Sequence, residues 1–141
     1  MKKLLLIVPL LLFGSDKVCT KCTLNKAQMQ CEYYVARKGD ASKASLCESY
    51  AEYLDKTKVY GRAAWYYLLA KKPKKTIKSA ENALKLGEAY ANEYLAEAYL
   101  ILGHKRKAKE HFSKLQTRFF SDKNLKTLQK LYPDFDPKEL R

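Results

Sequence analysis

From residue 24 onward apolar side chains recur three and four residues apart, the period of a helix with one buried face. No stretch alternates with the two-residue period of a strand, so seven helices are expected. The first runs from about Leu24 to Arg37 after a capping Thr23, and the second from about Ala41 to Leu54 behind Asp40 or Ser42. A third, dense in aromatics (Tyr60, Trp65, Tyr66, Tyr67), spans about Lys58 to Ala70. Pro73 suits the first turn of a fourth, where a missing N–H costs nothing, and Gly87 ends it. The fifth and sixth lie within 89–115 and meet at Gly103. Ser121 caps a seventh, from Asp122 to Leu131, which Pro133 stops.

The pattern repeats with a period of 32 residues. Val35, Tyr67 and Tyr99 share a column, as do Cys31, Ala63 and Leu95. Gly39, Lys71 and Gly103 align at the turns, and Ala44, Thr76 and Ala108 align early in each second helix. Small residues in the contact columns allow neighbouring helices to approach closely. Within the last unit, Leu95-Ala96, Tyr99, Gly103, Ala108 and Phe112 follow one another at fixed gaps. This order resembles a tetratricopeptide (TPR) repeat, a helix–turn–helix unit carrying those residue types at those positions. The resemblance implies an all-α fold of antiparallel hairpins stacked as a short solenoid, with the seventh helix as a cap over the last exposed apolar face.

The N-terminus changes the setting. Met1-Lys2-Lys3 and the apolar run Leu4–Phe13 read as a secretory signal peptide, with small residues for cleavage at Gly14 and Ser15. The run is shorter than the ~20 apolar residues of a spanning helix. The chain then divides into a leader (1–15), a cysteine-bearing segment (16–23), the helical domain (24–132) and a loosely packed C-terminal arm (133–141). An exported chain, periplasmic or envelope-associated, meets an oxidising compartment, where four cysteines favour disulfides. Cys31 lies eight residues before Gly39 and Cys47 eight after, so two antiparallel helices would hold them at equal height above the turn. Cys31–Cys47 would then staple the first hairpin and leave Cys19–Cys22 as a local bridge. A four-cysteine zinc site and a redox-active Cys19–Cys22 pair stay open as alternatives. Thr23 directly after Cys22 excludes covalent haem attachment.

A formal net charge of +13 favours acidic partners. Export turns that preference away from nucleic acid and towards an acidic protein or an anionic membrane surface. Two candidate binding surfaces emerge. The turns within each hairpin carry Arg37 and Lys38, then Lys71, Lys72, Lys74 and Lys75, then Lys105, Arg106 and Lys107, a basic edge along the array. The wall formed by the first helices carries Tyr33, Trp65, Leu68, Tyr90, Tyr94, Glu97 and Ile101, and the resemblance implies a peptide groove there. No catalytic constellation is expected, because His104 and His111 stand seven apart without a nucleophile or paired carboxylates at chemical spacing. No cofactor or metal is expected. The function implied is an exported, non-catalytic adaptor for a protein or peptide partner in the envelope. An envelope thiol-redox accessory using Cys19 and Cys22, or a structural subunit of a large envelope assembly, are the competing readings.

Overall fold

The computed structural model describes residues 20–115 and 121–140, with the backbone alone for 20–22. The expected leader and the expected Cys19–Cys22 bridge therefore fall outside the described residues. Within them the chain is all-α, with no strand. Helix α1 (Thr20–Gln30) continues as a π-helical stretch, Cys31–Arg37. A 3-10 turn, Ala41–Lys43, leads into α2 (Ala44–Lys56), followed by α3 (Tyr60–Leu69), α4 (Pro73–Lys85), α5 (Ala91–Ile101), α6 (Lys105–Ser113) and α7 (Asp122–Leu131). The chain closes on a second 3-10 turn, Pro137–Leu140.

Each helix from α1 to α5 packs on its successor, and α3 also meets α5 and the π stretch of α1. The 32-residue turn column has one backbone solution. Gly39, Lys71 and Gly103 all adopt left-handed φ, at 68°, 60° and 82°. Such a residue reverses the chain and lets the following amide return to the exposed carbonyls of the helix end. Lys72 N–H donates to Tyr67 O at 2.9 Å and His104 N–H to Tyr99 O at 2.8 Å. In the first hairpin the same bond spans one residue more, Asp40 N–H to Tyr34 O at 2.9 Å, because the π stretch holds an extra residue before its turn. Asp40 then caps the next segment, its Oδ1 accepting from Ser42 N–H at 3.0 Å.

Small side chains set the helix spacing. Ala63, Ala64, Ala80, Ala83, Ala91, Ala96, Ala98 and Ala108 are all fully buried. Polar groups in these seams are satisfied across them: Thr76 Oγ1 donates to Ala64 O at 3.3 Å, and Ser79 Oγ to Asp55 Oδ1 at 2.6 Å. Cys31 and Cys47, both buried, form a disulfide between the π stretch and α2. It staples the hairpin in which Glu32 and Glu48 occupy columns that are apolar in later units.

Two expectations need correction. Helix α7 does not simply cover the last apolar face; it runs across the first helices. Its Leu125 and Leu128 share a core cluster with Leu68 of α3 and Ala96, Ala98 and Leu100 of α5, and Leu131 joins the cluster built around Cys31, Val35 and Cys47. Hydrogen bonds follow the same path: Asn124 Nδ2 to Glu93 Oε1 at 3.5 Å, Thr127 Oγ1 to Ala36 O at 3.2 Å, and Tyr132 OH to Leu68 O at 2.5 Å. The C-terminal arm is not loosely packed either. Phe135 and Leu140 are buried, and the Pro137–Leu140 turn packs on α6 and α5, closing the last hairpin. Two large apolar side chains in a short tail outweigh its prolines and charges, because each gains ~2 kcal/mol by leaving water.

Candidate functional site

With α7 in place, much of the wall expected to hold a peptide is interior. Leu68 and Glu97 are fully buried, so neither is available to a partner from outside. Tyr94 and Ile101 are half-buried, while Tyr33 and Tyr90 remain exposed. These two lie apart in function. Tyr33 stacks edge-on to Tyr34 beneath the Lys38 ammonium, and Tyr90 lies over Gly61, where any Cβ would collide with its ring.

What stays open is a groove of about 620 Å³ beside α7. Trp65, half-buried and 6.1 Å from the ring of Tyr94, forms its floor. The π stretch of α1 supplies one wall through Glu32, Ala36 and Arg37, and α7 supplies the other through Lys123, Asn124, Lys126, Thr127 and Lys130. The Thr127 to Ala36 hydrogen bond ties the two walls together at the base. Sequence logic explains the α7 wall. Leu125, Leu128 and Leu131 face the core, so the lysines at 123, 126 and 130, offset from them by a part-turn, line the groove.

The groove is electrostatically one-sided. Arg37, Lys123, Lys126 and Lys130 are exposed, and none forms an ion pair with a carboxylate among the described residues. Lys130 Nζ donates to Arg37 O at 3.5 Å, which caps the end of the π stretch. The one acidic lining residue, Glu32, is engaged: it accepts from Tyr66 OH at 2.5 Å. Burial, with that carboxylate's help, pushes the Tyr66 hydroxyl up to about 12. Like charges one turn apart on a helix repel by ~0.2–0.5 kcal/mol per pair. An anion in the groove would offset that repulsion with its own attraction to the cations.

The residues expected to form the basic edge are unevenly free. Lys75 pairs with Glu48 at 2.8 Å and Glu52 at 3.4 Å, and Lys105 with Glu139 of the tail at 3.0 Å. Lys38, Lys71 and Lys107 lie over the rings of Tyr33, Tyr132 and Tyr99. Lys72, Lys74 and Arg106 are exposed. Arg37 belongs to the groove instead. His111 is a packing residue, stacked on Tyr99 with its Nδ1 2.9 Å from Asn92 Oδ1, and burial lowers its pKa. No metal-binding group of three His, Cys, Asp or Glu occurs among the described residues, and no helix there is long and apolar enough to cross a membrane.

Beneath α7 lies a second electrostatic feature. Glu93 and Glu97 sit one turn apart on α5, both buried. Burial first, then the facing Glu93, raises the Glu97 carboxyl well above its ordinary value, and burial raises Glu93 as well. No hydrogen bond reaches either Glu97 oxygen. A carboxyl whose folded pKa is raised binds protons more tightly folded than unfolded. Its contribution to stability is therefore intact below pH 4.5, the ordinary carboxyl value, and falls as pH rises above it. His111 acts in the opposite sense below its own ordinary value. The difference between the wild type and Glu97→Gln removes the His111 contribution and reports the Glu93–Glu97 pair. It should grow in favour of the variant by about 1.4 kcal/mol per pH unit from pH 5 upward, for as long as Glu97 keeps its proton when folded. Urea titrations at a series of pH values measure it, and a constant difference would show Glu97 to be ionised in the folded chain.

The chain matches no protein-family model, no curated protein and no solved structure.

Proposed function

We propose that the protein is an exported, non-catalytic adaptor of the cell envelope, built of TPR-like hairpins, that binds a protein or peptide partner in the Trp65 groove. The observation carrying this reading is the groove itself: an indole floor between two helices, rimmed by four exposed cations that have no carboxylate among the described residues. Tryptophan and arginine are the residue types that most often anchor interfaces. The period of 32 residues and the repeated left-handed turns support the repeat reading, and the apolar leader read from the sequence supports export.

Affinity capture from an envelope extract tests it. The wild type should retain a discrete partner that the Lys123→Glu/Lys126→Glu variant retains at least tenfold less. Both lysines are exposed, so this variant keeps the fold, which circular dichroism checks. Trp65→Ala should lose the partner too. Because Trp65 also packs against two core clusters, the lysine variant decides the matter. Equal capture by a folded lysine variant would remove the groove from the account.

A further inference from the structure

We infer that the groove's partner is an acidic amphipathic helix, laid alongside α7 with a stripe of carboxylates against Lys123, Lys126 and Lys130 and one apolar side chain on the Trp65 indole. This rests on the adaptor reading and adds the chemistry and conformation of what is bound.

The sign of the charge comes first. Four cations converge on one concavity whose single carboxylate already accepts a tyrosine hydroxyl. A second copy of this chain fits poorly, since 28 Lys and Arg face 15 Asp and Glu, and its amphipathic helices α4, α6 and α7 are rich in lysine on their polar faces. An anionic membrane presents a broad surface, which meets exposed charges on a convex edge more readily than cations turned into a groove. A ligand with projecting anionic side chains suits the shape better.

The spacing argues for a helix. At ~1.5 Å rise per residue, Lys123, Lys126 and Lys130 stand roughly 4.5 and 6 Å apart along α7, one cation per turn. Carboxylates at i, i+3 and i+7 of a neighbouring helix repeat that pattern. On an extended strand, same-face side chains recur every ~6.6 Å, so the third would overshoot by ~3 Å. The groove is also too small to swallow a helix of 10–12 Å overall diameter. It takes one row of side chains, while the helix rests across the mouth between α1 and α7. The half-buried indole offers the apolar contact that such a row needs at its centre.

Trp65 is the only tryptophan, so its emission reports the groove directly. The probe is a synthetic four-turn alanine-based helix bearing a Glu stripe and a central Leu. The comparison ligands are the same composition with Glu scattered round the helix, inorganic polyphosphate, and phosphatidylglycerol vesicles. Titrated into the full chain, the striped peptide should shift Trp65 emission saturably and bind at least tenfold tighter than the scattered one. Lys123→Glu/Lys126→Glu should weaken it at least tenfold, whereas Lys78→Glu/Lys85→Glu, an equal charge change on α4 away from the groove, should stay within twofold. Equal binding of the scattered peptide overturns the helical partner. So does a Lys123- and Lys126-dependent shift with polyphosphate or vesicles but not with the striped peptide. In those cases the groove still binds and only the identity of its ligand changes. Silence of Trp65 towards all four ligands overturns this inference and, with unaltered capture by the lysine variant, the adaptor reading too.

Discussion

Replacing Leu128 with alanine is expected to lower the unfolding free energy by about 3 kcal/mol, the middle of the range for a fully buried leucine. Leu128 has no exposed surface and packs with Leu68, Ala96 and Leu100, so its removal opens a cavity between α7 and the first helices. That cavity lies in the same seam as Leu68 and the buried Glu97. Partial collapse there would admit water to the Glu97 carboxyl, whose pKa burial now raises. Urea denaturation followed by helical circular dichroism measures the loss. A change below about 0.5 kcal/mol, typical of an exposed position, would mean that α7 does not pack as described.

The second large effect concerns the disulfide. The Cys31→Ala/Cys47→Ala variant should lose about 3 kcal/mol, the chain-entropy value for a loop of this length. The bond closes a loop of 16 residues around the first hairpin. It also fixes the π stretch that provides one wall of the groove, so partner binding should weaken along with stability. Both sulfurs are buried, so dithiothreitol should reach them only in molecules that have opened. Urea midpoints of the oxidised wild type and the double variant supply the comparison, and coincident curves would show that the bond adds nothing to the fold.

Much of the helical frame was legible because its signals are local. Periodicity, Pro73 at a first turn, Ser121 at a cap and glycines at helix ends each act within a few residues. The cystine was legible too, since equal spacing about Gly39 places Cys31 and Cys47 side by side. Lys71 shows where composition alone falls short. Nothing in its type signals φ of 60°, but its column with Gly39 and Gly103 does. The destination of α7 was not legible. Its leucine stripe declares that it must bury one face, yet the helical wheel cannot say which face covers it. Leu68 and Glu97 therefore read as groove residues when they are interior. Residue type alone does not single out the lysines at 123, 126 and 130; their place on α7 beside Trp65 does. A stripe of cations opposite a leucine stripe, in a helix near the end of the chain, was the signal available for them.

Everything proposed for the groove depends on α7 lying across α1, α3 and α5 in the folded chain. Native-state hydrogen exchange on the amides of Leu128 and Leu131 tests that most directly. Docked as described, these amides should open only with the whole domain, at the free energy of global unfolding. Exchange through a much smaller opening, while the buried amides of α3 and α5 stay protected, would show that α7 detaches on its own. The Trp65 groove would then lack one of its walls.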